Sequence, residues 1–263
     1  MNNTVKVDLG KDSYDIIFDD NFVESAIALI ATSSKCMFVT QEVIYEAFED
    51  KFSVLKSLPN VEFHFIDQGE EAKSIETAVE ICDKMTAMQY DRSSTIFAVG
   101  GGVVGDTAGF VASIFMRGIN YIQYPTTLLA MIDSSIGGKT GVNLKSGKNL
   151  IGRIHQPKAV IIDTSFLSTL PEREINASLA EAIKYGFIYD RDLFDYIVKN
   201  MSDILNNKND TILKKIILRS CQIKSEVVSR DVNENDLRMI LNFGHTIGHA
   251  LEGYFQYKTL LHG

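Results

Sequence analysis

Cysteine and proline are scarce in this sequence, and long apolar runs are missing. Cys36, Cys82 and Cys221 are odd in number, widely spaced and without a CxxC pair, which argues against both a disulfide framework and a thiolate zinc site. The four prolines, Pro59, Pro125, Pro157 and Pro171, all fall at expected loops or element edges. No apolar run approaches membrane-spanning length, and the amino end, Met-Asn-Asn-Thr-Val-Lys-Val-Asp, carries no apolar signal region. Positive charge is in deficit too. With 26 Lys and Arg against 34 Asp and Glu the net charge is −8, which disfavours a general nucleic-acid or anionic-membrane surface. A soluble, cytoplasmic protein with reduced thiols is expected, and any anion site in it must be local.

What is present suits an ordinary globular chain. At 263 residues, 45% hydrophobic and 23% charged, one large or two medium domains can form. Residues 5–9 and 14–18 read as a hairpin, 22–30 as a helix, and 36–40, 63–66 and 95–99 as buried strands, with helical spacing at Ile75, Ala78, Val79, Cys82 and Met85 between the last two. Strand, helix, strand in this order predicts a parallel sheet, to which 121–124 and 159–162 add further strands. After Pro171 the pattern turns helical over 175–188, 193–205, 212–228 and 237 onward, and Ile212, Ile216, Ile223 and Val227 mark one buried stripe. The expected organisation is an α/β domain over 1–171 followed by an all-α domain over 172–263.

Three stretches can carry chemistry. Gly100-Gly101-Gly102-Val103-Val104-Gly105-Asp106 follows a strand and opens a helix, where backbone can approach a phosphate closely and helix amides can bind it. A tight turn with close helix–sheet contact is the alternative. From residue 134 to 162 the cations Lys139, Lys145, Lys148, Arg153 and Lys158 occur with no Asp or Glu, among small residues that suit a compact anion, although a solvated basic loop would look similar. Asn242-Phe-Gly-His245-Thr-Ile-Gly-His249 puts two imidazoles four residues apart, and His262 follows. On a helix both rings would share a face, with Asn242 one turn before His245, as a metal or acid/base site needs. Thr246 excludes the HExxH zinc-protease pattern, and structural histidines remain the ordinary reading. Glu181 and Lys184 form an i,i+3 pair among small and apolar residues. That is either a surface ion pair or a buried metal carboxylate. Lys224 and Arg238 would ordinarily be solvated helix cations.

Taken together, Gly100–Asp106, the run 125–143 (Pro-Thr-Thr-Leu-Leu-Ala-Met-Ile-Asp-Ser-Ser-Ile-Gly-Gly-Lys-Thr-Gly-Val-Asn), Gly147-Lys-Asn149, Ala180-Glu-Ala-Ile-Lys-Tyr-Gly186 and the histidine stretch resemble the motif series of the 3-dehydroquinate synthases. The resemblance implies a Rossmann-like NAD-binding domain, then an α-helical metal domain, typically in a homodimer. It also implies conversion of 3-deoxy-D-arabino-heptulosonate 7-phosphate to 3-dehydroquinate and phosphate, in the shikimate pathway of aromatic amino-acid biosynthesis, with NAD and zinc or cobalt. By position, Glu181, His245 and His262 resemble the metal ligands and His249 an acid/base. Gln68, Gly69, Glu70, Glu71, Ala72, Lys73, Gly102, Val103, Val104, Gly105, Asp106, Thr126, Thr127, Lys139, Lys148, Phe166, Leu167, Ser168 and Thr169 resemble the cofactor contacts. Asp133, Lys139, Lys148, Asn149, Lys184, Lys224, Arg238 and Asn242 resemble the substrate and catalytic pocket, and Arg117 an arginine lent to the partner's site.

Two departures accompany the resemblance. Gln41 stands where the family often carries an aspartate for the adenosine ribose. The sequence stops at Gly263, whereas the family continues through further helices with another basic active-site residue, so a partial chain with exposed apolar surface in its helical part is expected. The competing readings are another NAD- and metal-dependent sugar-phosphate cyclase, a polyol dehydrogenase of the iron-type group, and an inactive nucleotide-binding fragment.

Overall fold

The computed structural model describes residues 4–207, 210–232, 237–255 and 260–263. Its strands are β1 (Thr4–Val7), β2 (Tyr14–Phe18), β3 (Cys36–Thr40), β4 (Val61–Phe65), β5 (Thr95–Gly100), β6 (Asn120–Pro125), β7 (Lys139–Leu144), β8 (Gly147–Ile154) and β9 (Ala159–Ile162). The helices are α1 (Phe22–Ile30), α2 (Glu42–Ala47), α3 (Glu49–Lys56), α4 (Ile75–Ala87), α5 (Gly102–Ile114), α6 (Glu172–Ile188), α7 (Arg191–Asn207), α8 (Asp210–Arg230) and α9 (His245–Tyr254).

Seven strands form one sheet in the order β1-β2-β9-β6-β5-β3-β4. Only β1 and β2 pair antiparallel, as the hairpin pattern predicts; the other neighbours are parallel. β3, β5 and β9 are buried at every position, the signature of strands covered on both faces. Alternate residues then meet different helices. Phe38 stacks on Phe97 at 4.5 Å on the face where Phe22 of α1 meets Tyr124 edge-on at 5.0 Å. Met37, Val39, Ile96 and Ala98 instead pack with Ile81 and Met85 of α4 and Val104 and Val111 of α5.

Connectivity decides where a ligand can lie. From β3 the chain moves outward to β4, then returns through α4 to β5 on the other side of β3. Such a reversal opens a crevice beyond the carboxyl ends of the two strands. Gln41 and the glycine run at residues 100–102 border it.

The helical half packs on the sheet's hairpin edge. In α8, Ile212, Ile216, Ile223 and Val227 are all buried, as their spacing predicts. Ser225 Oγ donates to Lys6 O at 2.6 Å, and the Asp8 N–H donates to Ser229 Oγ at 3.0 Å. Between β6 and β7 lies a π turn, Ala130–Ser134, which shares the core with α6 and α8.

Three features depart from the sequence expectations. α2 and α3 were not foreseen, and residues 139–154, a basic segment in which no strand was expected, form the β7–β8 hairpin with a register shift between Val142 and Leu144. The region from 237 is not one helix: a 3-10 turn, Leu237–Asn242, precedes Gly244 at φ 82°, and α9 starts only at His245. Residues 256–259 of that expectation lie outside the described residues. Phe187, Phe243, Ile247, Leu251 and Tyr254 leave an exposed apolar face. Among the described residues no helix is long and apolar enough to cross a membrane.

Candidate active site

Where the sheet's carboxyl edge meets the helical half, a cavity of about 610 Å³ opens, lined by Asp106, Asp133, Lys139, Asn149, Arg153, Lys184, Lys224, Arg238, Asn242 and His245 among others. That volume suits a small metabolite. Five cations face two aspartates there, although the whole chain carries a net −8. The local inversion of charge predicted from the 134–162 segment is therefore real, but its strongest members come from elsewhere. Lys184, Lys224 and Arg238 are buried rather than solvated.

Burying such charges costs several kcal/mol each unless they are paired, and the pairing explains the site. Lys224 Nζ donates to Asp133 Oδ1 at 2.7 Å and to Asp133 O at 2.6 Å. Burial alone would raise the Asp133 carboxyl, but the ammoniums of Lys224 and Lys184 outweigh it and hold the group well below the usual carboxylate range. Burial draws the Lys224 ammonium downward against the pull of Asp133, and Arg238 and Lys184 add to the lowering. Arg238 fits because Gly137 has no side chain: a Cβ there, on a backbone at φ 101°, would lie 2.5 Å from Arg238 Nη2. Arg238 Nη1 also donates to Val232 O at 2.8 Å.

A second cavity of about 550 Å³ adjoins the first at Lys184 and His245 and is lined by Glu181, Glu252 and His262. Ligand atoms of Glu181, His245 and His262 lie within 4.8 Å of one another. Glu181 is buried. Its Oε1 faces His262 Nε2 at 3.3 Å and His245 Nε2 at 3.7 Å, while its other oxygen meets the Lys184 ammonium. The far nitrogens of both rings are anchored, His262 Nδ1 to Glu252 Oε1 at 2.9 Å and His245 Nδ1 to Phe243 O at 3.3 Å. Two imidazoles and a carboxylate converge with their outer nitrogens fixed, a donor set that fits a divalent cation such as zinc or cobalt. Burial, then Lys184, lowers His245, favouring the neutral form a ligand needs. His262 is pushed up to about 9 by its hydrogen bond to Glu181 against burial, with Glu252 adding to the rise. The ring of His249 lies 5.1 Å from His245 and 5.5 Å from His262, on the exposed side of the cluster.

The glycine run has two duties. The backbone amide of Gly105 donates to Gly101 O at 3.0 Å, and a Cβ on Gly105 would stand 2.6 Å from Gln123 Oε1. Gly105 therefore has a packing duty, and the Val104 side chain is buried against the sheet. No side chain caps α5, so the amides of Gly102, Val103 and Val104 are donors at its start. A Cβ on Gly102 would come within 3.2 Å of Ser134 Oγ. This narrow, uncapped helix start at the crevice fits a dinucleotide pyrophosphate.

Around it, Lys73 Nζ bridges Asp106 Oδ2 and Asn149 Oδ1, both at 2.5 Å. Burial raises the Asp106 carboxyl and Lys73 opposes the rise. Glu70 Oε1 accepts from Asn143 Nδ2 at 2.8 Å and lies 3.5 Å from Lys148 Nζ. Gln68, Gly69 and Glu71 form the exposed turn beside them, and Ala72 is buried. Thr126 is buried and Thr127 Oγ1 accepts from the Ala130 N–H at 3.1 Å. In the 3-10 turn carrying Ser168 and Thr169, the side chains of Phe166 and Leu167 belong to the core, Phe166 lying 5.3 Å from Phe22. They could meet a cofactor through backbone alone. Asn242 lines the first cavity, but not from the helix of His245, because Gly244 breaks the chain direction between them. Arg117 lies outside both cavities, with φ 72°, just before the amino end of β6.

Two family models match residues 63–263: the 3-dehydroquinate synthase N-terminal model over residues 63–177 and the C-terminal model over 178–263. The chain belongs to the 3-dehydroquinate synthase family. A 3-dehydroquinate synthase of Thermoanaerobacter sp. (strain X514) is 47% identical, across 98% of this chain and 74% of its own length. One from Caldanaerobacter subterraneus subsp. tengcongensis is 49% identical over the same shares. Among solved structures, 2-epi-5-epi-valiolone synthase of Streptomyces hygroscopicus, which holds NAD⁺ and Zn²⁺, superimposes with a TM-score of 0.87 at 31% identity, covering 97% of this chain and 72% of that one. The fold shared with this neighbour is an α/β sheet domain followed by helices.

Four residues of the site were not singled out from the sequence. Glu252 looks like an ordinary helix residue and Tyr185 was quoted only within the 180–186 motif; both become visible through their contacts with His262 and Asp133. Asn143 was quoted only inside a motif, and Arg153 only as one basic residue among several; each turns out to hold Glu70 or line the cavity.

Proposed function

We propose that the chain acts as a 3-dehydroquinate synthase, a carbon–oxygen lyase that converts 3-deoxy-D-arabino-heptulosonate 7-phosphate to 3-dehydroquinate and inorganic phosphate. The reaction runs through transient oxidation, phosphate β-elimination, re-reduction and intramolecular aldol closure. The observation that carries this reading is the junction at Lys184 and His245, where the cation-lined cavity adjoins the Glu181–His245–His262 cluster. Bound NAD would supply a reversible hydride acceptor, and a divalent cation, zinc or cobalt, would supply Lewis acidity toward the substrate oxygen.

The chain's own residues do the rest. Glu181, His245 and His262 hold the cation. The start of α5, with Glu70, Lys73 and Asp106 beside it, seats the dinucleotide, and backbone of the turn at residues 166–169 closes that side. Lys139, Lys148, Asn149, Lys184, Lys224, Arg238 and Asn242 orient a substrate that carries a carboxylate and a phosphate, fixing near-attack geometry and offsetting charge as phosphate departs. Asp133, kept ionised by its lysines, accepts from a substrate hydroxyl. His249, exposed beside the cluster, moves protons as acid and base. Residues 1–171 form the nucleotide part and 172–263 the metal and substrate part. In the cytoplasm the protein works as a homodimer, and Arg117, outside its own cavities, serves the partner's site.

A phosphate-release assay with the heptulosonate phosphate, NAD and added zinc or cobalt tests this directly. Phosphate should appear in step with dehydroquinate while no NADH absorbance accumulates. Accumulating NADH, with an oxidised product, would identify a dehydrogenase instead.

A further inference from the structure

The residues that present Asp133 to the cavity sit on the π turn, a rare geometry that is frequent at functional sites. Four successive carbonyls of this turn each accept a side-chain donor: Ala130 O from Ser135 Oγ at 2.7 Å, Met131 O from Cys221 Sγ at 3.3 Å, Ile132 O from Tyr185 OH at 3.4 Å, and Asp133 O from Lys224 Nζ at 2.6 Å. Three of these donors come from α6 and α8, across the junction with the helical half. Among them Tyr185 is distinctive. Its side chain is fully buried, and besides the long contact to Ile132 its hydroxyl donates to Asp133 Oδ1, the oxygen that Lys224 also holds.

We propose that Tyr185 is a positioning residue for the reaction: its hydroxyl, with Lys224, pins Asp133 Oδ1 and so leaves Oδ2 to receive a substrate hydroxyl. The inference rests on the function proposed above, in which Asp133 meets substrate. A phenylalanine would fill the same space without burying a polar group, and a buried hydroxyl is destabilising unless it is used. Here its use is the carboxylate. Burial and the neighbouring Asp133 and Glu181 carboxylates keep the phenol protonated, well above its ordinary range, so it remains a donor. The ring has a separate role, since the Lys184 ammonium lies 5.1 Å from its centre, and that contact survives loss of the hydroxyl. Tyr185→Phe therefore removes one donor and little else.

The test is a cycle of Tyr185→Phe and Asp133→Ala, read as phosphate release. Losing a hydrogen bond to a charged group should lower kcat/KM on the order of 10- to 100-fold, chiefly through a higher KM, while NAD and zinc affinity stay within about twofold. In the Asp133→Ala background the same change should cost less than about threefold, because the group through which Tyr185 acts is gone. Equal losses in both backgrounds, or a Phe variant with unchanged kcat/KM, would overturn the proposal. Should either variant fail to fold, 3-fluorotyrosine incorporated at position 185 keeps ring and hydroxyl and carries the test by fluorine NMR. Its resonance should move when Asp133 is changed to Asn and when substrate is added; a resonance indifferent to the Asp133→Asn change overturns the link. Wild-type protein that frees no phosphate would count against the activity, and the fluorine measurement on Asp133→Asn would still decide the contact between the two residues.

Discussion

Glu252 Oε1 lies 2.9 Å from His262 Nδ1, so the ring that turns its other nitrogen toward Glu181 is held from behind by a carboxylate. The pairing fixes the tautomer and raises the ring's basicity as a ligand. Glu252→Gln should weaken zinc affinity by about 10- to 100-fold while leaving the fold intact. Isothermal titration with zinc measures this, and an unchanged affinity would mean that Glu252 only packs.

The two histidines of α9 should separate by role. His245→Ala removes a cluster nitrogen and should abolish metal retention in dialysed protein. His249→Ala should retain metal and lose roughly 10²- to 10⁴-fold in turnover, the range of a lost acid/base. Equal metal loss in both variants, measured by atomic absorption, would contradict this division.

Lys224 gives the pH dependence a definite sign. Its ammonium is drawn below the ordinary lysine range, by burial first, so the charge that holds Asp133, and in the proposed function the substrate, is lost as pH rises, earlier than for a free lysine. KM for the heptulosonate phosphate should rise on the alkaline side. Lys224→Arg carries a charge that does not titrate there, and its alkaline limb should move to higher pH. A limb identical in both proteins would assign the titration elsewhere.

At the carboxyl end of β3, Gln41 Nε2 donates to Asp67 O at 3.0 Å, at the position where the family resemblance implies a carboxylate for the adenosine ribose. Gln41→Asp should tighten NAD binding, by about 5- to 10-fold for one added charged hydrogen bond. Fluorescence titration with NAD reads the change, and weaker binding would place the ribose elsewhere.

The sequence made some parts of the molecule readable and hid others for physical reasons. Strands 36–40, 95–100 and 159–162 are apolar on both faces and announce themselves. α8 shows its stripe at Ile212, Ile216, Ile223 and Val227, all buried and repeating at helical spacing. The β7–β8 hairpin was hidden because glycines and lysines replace alternation, and β8 is largely exposed. Glu181, His245 and His262 could be grouped through resemblance, and the fold brings their ligand atoms together. No local pattern indicates that Tyr185 reaches Asp133, 52 residues away, or that Glu252 backs His262; such contacts exist only once the helices pack. The packing duty of Gly105 was also hidden, since Gln123, which fills the space a Cβ would take, comes from β6.

The central claim is that one carbon of the substrate gives up a hydride and receives the same hydride back. Heptulosonate phosphate deuterated at that carbon, turned over with NAD and zinc, should yield dehydroquinate that retains the deuterium, with one phosphate released per product and no deuterium in the recovered NAD, as read by mass spectrometry. Label lost from the product, or gathered in a reduced nucleotide, would contradict the account.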